Sequence, residues 1–324
     1  MFAKLFSIQD DNAFNDACLA VFDFQYKNNP IYQRYVVLIG TDLEQVKSYR
    51  DIPFLPIEFF KSQSVVATDK PAEIVFSSSG TTGMITSKHM VADLAYYERS
   101  FRQCFAEFYA PAEDLVILAL LPSYLEREGS SLIYMVDDLI QQSKQAASGY
   151  FLYNHEDLYQ TLKELQASGK KTLLIGVTYA LLDFCEAYEV NFPELIVMET
   201  GGMKGKRKEM IREELHQMLC KGFGVEKIHS EYGMTELLSQ GYSYGDGLFA
   251  TPKWMKVLIR DTNDPLSLID QHKTGAINVI DLANYYSCSF IATQDLGKMH
   301  ADGQFEILGR FDNSDIRGCN LLVQ

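Results

Sequence analysis

The sequence predicts an α/β fold in which parallel-rich sheets are flanked by helices and a β-rich subdomain follows. Short apolar runs alternate with amphipathic segments from about residue 74 to residue 230, as strands and helices do in an α/β sheet. The run Leu115–Leu121 is apolar without alternation, which is typical of a strand buried on both faces. Helical periodicity fades beyond Leu237, and the later runs indicate a β-rich subdomain at about residues 238–308.

The N-terminal region combines a helical pattern with proline-containing breaks. Aromatic and apolar residues recur at helical spacing from Phe14 to Tyr35, with Pro30 as a break. The segment 51–56 contains two prolines, which lack backbone donors. We therefore expect this segment to be extended, irregular and held at the surface.

The remaining elements follow from periodicity and from apolar runs. Apolar side chains recur at three- and four-residue steps from Leu94 to Phe108, as in an amphipathic helix. Gly169 follows a helical pattern at a position where glycine commonly ends a helix. The later predictions are helices at 158–168, 179–188 and 206–220, and strands at 172–175, 195–198, 227–230, 254–259, 275–280, 289–293 and 304–308.

Composition limits the class of protein. The chain has 324 residues and a net charge of −14, so nucleic acid is not an expected partner. Six cysteines are scattered without the paired spacing of a zinc site or a disulfide framework. We see no signal peptide and no apolar run long enough to span a membrane. We therefore expect a cytoplasmic protein.

The stretch Ile74–Gly83 is the first candidate for ligand binding. Its apolar start predicts a strand, and the strand ends in a turn rich in hydroxyls and glycines. Backbone amides and hydroxyls of such a turn can cradle a phosphate, and the residues concerned are Ser79, Gly80, Thr81, Thr82 and Gly83. Lys88 follows with a cation that can meet a phosphate. Met84 after Gly83 excludes a Walker A loop, and an ordinary turn is the alternative.

A second candidate is the segment Glu231–Glu236, which follows a predicted strand. The ring of Tyr232 can stack on a base, and Gly233 permits a tight turn. Thr235 can donate to a phosphoryl oxygen, and Glu236 can hold Mg²⁺. The alternative is a strand-to-helix turn with a capping acid.

Two further candidates lie near the C-terminus. Asp295 in Thr293–Gly297 is a carboxylate at a strand end, where it can accept hydrogen bonds from ribose hydroxyls. Arg310 in Gly309–Asn313 can donate to ribose or phosphate. The alternatives are a turn aspartate and a polar tail.

These four motifs, in this order, resemble the adenylate-forming superfamily, which includes acyl-CoA synthetases, luciferases and nonribosomal peptide adenylation domains. The resemblance implies ATP and Mg²⁺ as cofactors, with Lys88 beside the phosphate loop. Gly201 and Gly202 are similar to its adenine-contacting turn. Residues 232–236 match its Tyr-Gly-x-Thr-Glu motif, whereas 293–295 have Gln294 in place of the usual glycine.

Three more segments are similar to the LuxE-type acyl-protein synthetases, a component of the bacterial luminescence fatty-acid reductase. They are residues 52–56 with Lys61, residues 121–127 and residues 317–319. That resemblance implies activation of a fatty or other carboxylic acid as acyl-AMP, followed by transfer to Cys319. It also implies a reductase or acyl-carrier partner.

The resemblance divides the chain into an adenylate-forming core at 1–308 and a hinge remnant with a C-terminal tail at 309–324. We expect the small C-terminal domain of the superfamily, which supplies a catalytic lysine, to be lacking. Another cation, Lys88 or Arg310, or a free-standing partner domain would then take its place.

Two other functions are compatible with the sequence. The chain could be an adenylating subunit that passes the acyl group to coenzyme A or to a carrier protein. It could also be a non-catalytic nucleotide-binding subunit, although the intact Thr235–Glu236 pair argues against that function.

Overall fold

A computed structural model describes residues 5–78, 85–122, 129–202, 207, 210–270 and 272–310. The chain forms two compact units. The α/β unit comprises Pro71–Pro252, and the β-rich unit combines Met1–Lys70 with Lys253–Gln324. Of the β-rich region predicted at about 238–308, residues 253–308 thus form one unit with the N-terminal seventy residues, whereas residues 238–252 belong to the α/β unit.

The helices of the described residues are α1 Asp11–Asn28, α2 Pro30–Leu38, α3 Phe59–Ser62, α4 Leu94–Phe108, α5 Ser131–Ser143, α6 His155–Ser168, α7 Thr178–Ala187 and α8 Arg212–Phe223. The strands are β1 Leu55–Pro56, β2 Ile74–Ser77, β3 Lys88–Val91, β4 Val116–Leu120, β5 Gly149–Tyr150, β6 Thr172–Val177, β7 Ile196–Thr200, β8 His229–Tyr232, β9 Gly241–Ser243, β10 Leu248–Ala250, β11 Met255–Arg260, β12 Thr274–Asp281, β13 Phe290–Met299 and β14 Phe305–Arg310.

The sheet of the α/β unit has the strand order β10-β9-β8-β7-β6-β4-β5. Strands β5, β4, β6, β7 and β8 are parallel, whereas β9 and β10 run antiparallel to their neighbours. All five residues of β4 and all six of β6 are buried, as expected for central parallel strands covered on both faces. Strands β2 and β3 form a separate antiparallel hairpin.

The β-rich unit contains the antiparallel strands β11, β12, β13 and β14, with β1 parallel to β13. Helix α1 is anchored to this unit by Gln25, which is fully buried. The Gln25 amide nitrogen donates to the carbonyls of Asn284 and Tyr285, both at 2.9 Å, and its oxygen accepts from the Ser289 amide at 2.9 Å. The N-terminal helices therefore belong to the core of the β-rich unit.

Most predicted elements are present, and several ends agree closely. The break at Pro30 is confirmed, because Asn29 ends α1 and caps α2. Gly169 ends α6 with a left-handed φ of 64°, as predicted. Helix α8 begins only at Arg212, later than the predicted residue 206.

The prediction for segment 51–56 was wrong in part: residues 51–54 lie outside the helices and strands, as predicted, but the segment is not held at the surface. Leu55 and Pro56 pair in parallel with Ile291 and Ala292, and Leu55 is fully buried. Because Pro56 lies in a two-residue strand, the missing proline donor removes little of the ladder. The segment is thus part of the core and not of the surface.

Among the described residues, no helix combines the length and apolar character needed to cross a bilayer.

Candidate active site

The parallel strands of the α/β unit bring their carboxyl ends to one edge of the sheet. Strands β4, β6, β7 and β8 end at residues 120, 177, 200 and 232, and their pairing is in register along this edge. In open α/β sheets ligands bind at this edge. Two of the predicted motifs, the glycine pair after β7 and the turn after β8, lie here side by side.

The glycine pair forms a turn that few other residues could adopt. Gly201 and Gly202 have φ values of 75° and 61°, both in the left-handed region that favours glycine. Both residues are exposed, and the space where a Gly202 side chain would lie is open. The turn therefore presents backbone groups at the edge of the sheet, as a contact to a planar ring requires.

A hydrogen bond joins this turn to the next motif. The Thr200 hydroxyl donates to Glu231 Oε2 at 2.7 Å. The other oxygen of Glu231 lies 2.3 Å from where a Cβ on Gly233 would be. Gly233 thus leaves room for the Glu231 carboxylate, which connects the two strand-end turns.

The β2–β3 hairpin is fixed against the turn after β8. His89 of β3 is fully buried, and its Nδ1 donates to the carbonyl of Thr235 at 2.8 Å. The preceding residue, Lys88, is exposed and opens the strand. The structure therefore places the strand that carries Lys88 against the turn that carries Thr235.

The predicted phosphate loop, Ser79–Gly83, lies outside the described residues, but the positions that flank it are fixed. The amide of Ser78 donates to the Ser87 carbonyl at 3.1 Å, and the Ser87 amide donates to Ser78 Oγ at 2.8 Å. The Ser77 amide donates to the Gly129 carbonyl at 2.8 Å. Ser78 and Ser87, on either side of the segment, are therefore bonded to each other next to the hairpin that carries Lys88.

The turn after β8 supplies a buried ring and a buried carboxylate. Tyr232 is only 7% exposed, and its ring meets Phe249 edge-on at 6.2 Å. Glu236 is 6% exposed, and Thr235 is half-buried. Among the described residues, no three His, Cys, Asp or Glu side chains are grouped so that they could hold a metal ion.

Two neighbouring carboxylates near this edge differ in their protonation. Burial raises the pKa of Glu231 to about 7, assisted by the charge of Glu199 and opposed by the Thr200 hydrogen bond. Burial also acts to raise the pKa of Glu199, but His216 and Arg212 outweigh it, and the pKa is lowered. The nearest distances from Glu199 Oε1 are 3.8 Å to His216 Nε2 and 4.0 Å to Arg212. Glu199 is therefore ionised at neutral pH, while Glu231 titrates near it.

The predicted ribose-binding residues lie in the β-rich unit. Asp295 on β13 pairs in register with Arg310 on β14, and Arg310 Nε donates to Asp295 Oδ1 at 3.1 Å. Asp295 is 7% exposed, whereas the Arg310 side chain is 69% exposed. The structure brings these two predicted residues together.

The predicted acyl acceptor, Cys319, lies outside the described residues. Of the other five cysteines, Cys18, Cys104 and Cys288 are buried, whereas Cys185 and Cys220 are partly buried. Burial raises the pKa of Cys185 and of Cys288 to about 12. Buried thiols of this kind are poor nucleophiles.

Sequence reasoning gave no role to four residues that support this geometry. They are His89, Glu199, Glu231, which only opens the second candidate segment, and Arg260, a buried residue of the β-rich unit that donates to the Thr293 carbonyl. Glu199 and Glu231 follow apolar runs at predicted strand ends, and that position was a usable signal. His89 and Arg260 act through contacts with residues 146 and 33 positions away in sequence, which local patterns do not reveal.

Comparison with known proteins gives one family and a set of related folds. The sequence model of "Acyl-protein synthetase, LuxE" matches residues 4–324. No curated protein sequence matches the chain significantly.

Solved structures match the fold at low sequence identity. An open conformation of 2-hydroxyisobutyryl-CoA ligase in complex with 2-HIB-AMP and CoA is 13% identical, with a TM-score of 0.65 over 94% of this chain and 70% of that chain. ATP-bound MatB from Rhodopseudomonas palustris is 18% identical, with a TM-score of 0.56 over 75% of this chain and 50% of that chain. An ATP-bound RpMatB-BxBclM chimera is 17% identical, with a TM-score of 0.55 over 73% of this chain and 47% of that chain.

The chain thus spans about half the length of the two MatB structures. The matches confirm the predicted α/β fold class.

Proposed function

The chain belongs to the LuxE family of acyl-protein synthetases, and from this premise we propose that it uses ATP to activate a carboxylic acid as an acyl-AMP. The observation that carries the proposal is the hydrogen bond from His89 to Thr235. It holds the hairpin on both sides of Ser79–Gly83 against the Thr235–Glu236 turn. A phosphate-binding loop and a metal-binding carboxylate need this proximity.

The phosphates of ATP would lie between this hairpin and this turn. Backbone amides and hydroxyls of Ser79–Gly83 would cradle the β- and γ-phosphates, and Lys88 would neutralise charge as pyrophosphate leaves. The Thr235 hydroxyl would donate to the α-phosphate. Phosphoryl transfer depends mainly on such positioning and charge stabilisation.

Glu236 fits Mg²⁺ as a shared ligand. Magnesium bound to nucleotides commonly uses one or two protein carboxylates together with phosphate oxygens and water. Glu236 is a buried carboxylate one residue after Thr235, so a single protein ligand next to the phosphates is consistent with that pattern. When bound, the ion would withdraw charge from the leaving pyrophosphate.

Within the α/β unit, the strand-end turns would contact the adenine. The open backbone at Gly201 and Gly202 suits the edge or face of adenine, with Tyr232 at the end of the adjacent strand and Gly233 directly after it. Asp295 would accept from the ribose hydroxyls, and Arg310 would donate to ribose or phosphate.

The reaction would proceed in two displacements. A carboxylate oxygen of the acid attacks the α-phosphorus, an oxygen–phosphorus bond forms, and pyrophosphate leaves with the electrons of the broken bond. The Cys319 thiolate then attacks the acyl carbonyl, a thioester forms, and AMP leaves with the former carboxylate oxygen. Arg317 would favour the thiolate form of Cys319.

We propose a fatty acid as the substrate and a reductase or acyl carrier as the partner that receives the acyl group. The acyl chain would lie against apolar residues near the carboxyl ends of β4 and β6. Apolar area of this kind favours long-chain over short-chain acids.

Two measurements on the same samples test the function. Pyrophosphate release should require ATP, Mg²⁺ and a fatty acid, and the intact mass should then increase by one acyl group. Cys319→Ser should keep pyrophosphate release in the first turnover but lose the mass increase. Cys220→Ser, which replaces a half-buried cysteine, should retain both.

Two other outcomes of these measurements would favour the alternative functions. Pyrophosphate release without any acyl-enzyme, even with Cys319 intact, would favour transfer to coenzyme A or to a carrier protein. ATP binding without pyrophosphate release for any acid would favour a non-catalytic nucleotide-binding subunit.

A further inference from the structure

The strand that carries Asp295 is irregular at that residue. Ala276 of β12 pairs with Leu296 of β13, but Asn278 pairs with Ala292. One residue of β12, Ile277, therefore faces the three residues 293–295 of β13. A bulge of this kind disrupts the ladder locally and re-aims a side chain, here that of Asp295.

A buried arginine occupies the disrupted part of the ladder. Arg260 lies at the end of β11 and is only 6% exposed. Its Nη1 donates to the Ile277 carbonyl at 2.7 Å and to Asn278 Oδ1 at 2.8 Å. Its Nη2 donates to the Thr293 carbonyl at 2.6 Å. One guanidinium group thus contacts both strands on either side of the bulge.

The same contacts lead to Asp295. The Thr293 hydroxyl donates to the Ile277 carbonyl at 2.9 Å, which is the carbonyl that Arg260 also contacts. The Thr293 hydroxyl accepts in turn from the Asp295 amide at 3.2 Å. Arg260 and Thr293 therefore fix the backbone from which the Asp295 carboxylate projects.

Burying a cation here needs a reason, because desolvating a charged group is unfavourable. Burial lowers the pKa of Arg260 to about 10, although Glu58, Tyr35 and Asp295 oppose the shift. The group is still protonated at neutral pH. It supplies donors in a fixed planar arrangement that a lysine cannot reproduce.

We propose that Arg260 is a positioning residue for the nucleotide, which acts by holding the 293–295 bulge so that Asp295 meets the ribose hydroxyls. This inference rests on the proposed function, because it takes Asp295 as a ribose ligand. Arg260 itself makes no contact with the nucleotide in this account.

The test compares ATP with 2′,3′-dideoxy-ATP, which lacks the ribose hydroxyls. Wild-type protein should bind ATP about tenfold more tightly than the dideoxy analogue, because hydrogen bonds to a carboxylate are stronger than neutral ones. Arg260→Met and Thr293→Val should weaken ATP binding and leave binding of the analogue unchanged, so that the ratio falls toward one. Arg260→Met combined with Asp295→Ala should be no worse than Asp295→Ala alone.

Controls separate this effect from a general loss of structure. Arg34→Met removes an exposed arginine of α2 and should keep the wild-type ratio. If Arg260→Met does not fold, Thr293→Val still tests the connection to Asp295, because it removes the Thr293 hydroxyl and keeps the side-chain volume.

Three results would overturn the inference. The first is that folded Arg260→Met and Thr293→Val weaken ATP and the analogue equally. The second is that both variants leave the ratio at its wild-type value. The third is that the wild type binds both nucleotides alike while it releases pyrophosphate normally, which would leave the proposed function intact. A wild-type protein that binds neither nucleotide would overturn both this inference and the proposed function.

Discussion

His89 should make the stability of the protein depend on pH in a defined window. Burial lowers the pKa of His89 from 6.5 to about 4, and the hydrogen bond to Thr235 opposes this shift. The unfolded chain therefore takes up a proton at a higher pH than the folded chain does. Within this window the free energy of unfolding rises with pH.

The size of the effect follows from these two values. Lowering the pH from about 7 to about 5 should reduce the free energy of unfolding by about 2 kcal/mol through His89 alone. His89→Asn removes the titration but keeps an amide nitrogen near the position of Nδ1, so Thr235 can still be contacted. Between the two pH values, the variant should therefore lose about 2 kcal/mol less than the wild type does.

Urea unfolding followed by circular dichroism at both pH values measures the difference. The control His272→Asn makes the same substitution at an exposed histidine and should lose as much stability as the wild type does. The reasoning is refuted if His89→Asn and the wild type lose equal stability between the two pH values.

Three further predictions concern the strand-end turns and Glu236, the proposed magnesium ligand. Burial raises the pKa of Glu231 in the folded protein to about 7, so the wild type loses stability as the pH rises from 5 to 8. Glu231→Gln removes this loss and should therefore gain up to about 3 kcal/mol relative to the wild type over this range. Equal urea midpoints of the two proteins at pH 8 and at pH 5 would contradict this. Gly202→Ala should reduce stability by about 1 kcal/mol because φ is 61°, and should raise the KM for ATP; an unchanged melting temperature would exclude the strain. Glu236→Gln should raise the Mg²⁺ concentration needed for half-maximal pyrophosphate release, and an unchanged magnesium titration would exclude Glu236 as a ligand.

Local sequence rules predicted the fold where one element determines its own structure. The uninterrupted apolar run at β4 and the glycine after α6 are of this kind. The same rules failed where a residue distant in sequence determines the local structure. Leu55 and Pro56 form a strand because they pair with Ile291 and Ala292 of β13. The strand β3 was not predicted, because Lys88 and His89 interrupt any apolar pattern.

The candidate site divides in the same way. Ordered motifs located Gly201, Gly202, Thr235 and Glu236, since turns with glycine, hydroxyl and carboxylate residues are visible in the sequence. The support for those turns was not visible. His89 resembles any histidine in a short strand, and its role appears only when its ring is found at the Thr235 carbonyl.

The fate of the acid's oxygen atoms tests the central claim most directly. A fatty acid labelled with ¹⁸O in its carboxylate should be incubated with ATP, Mg²⁺ and the wild-type protein under single-turnover conditions. Attack on the α-phosphorus predicts that one ¹⁸O atom appears in AMP for each acyl-enzyme formed, and none in pyrophosphate. Formation of ADP, or unlabelled AMP alongside acylated protein, would contradict an acyl-AMP intermediate.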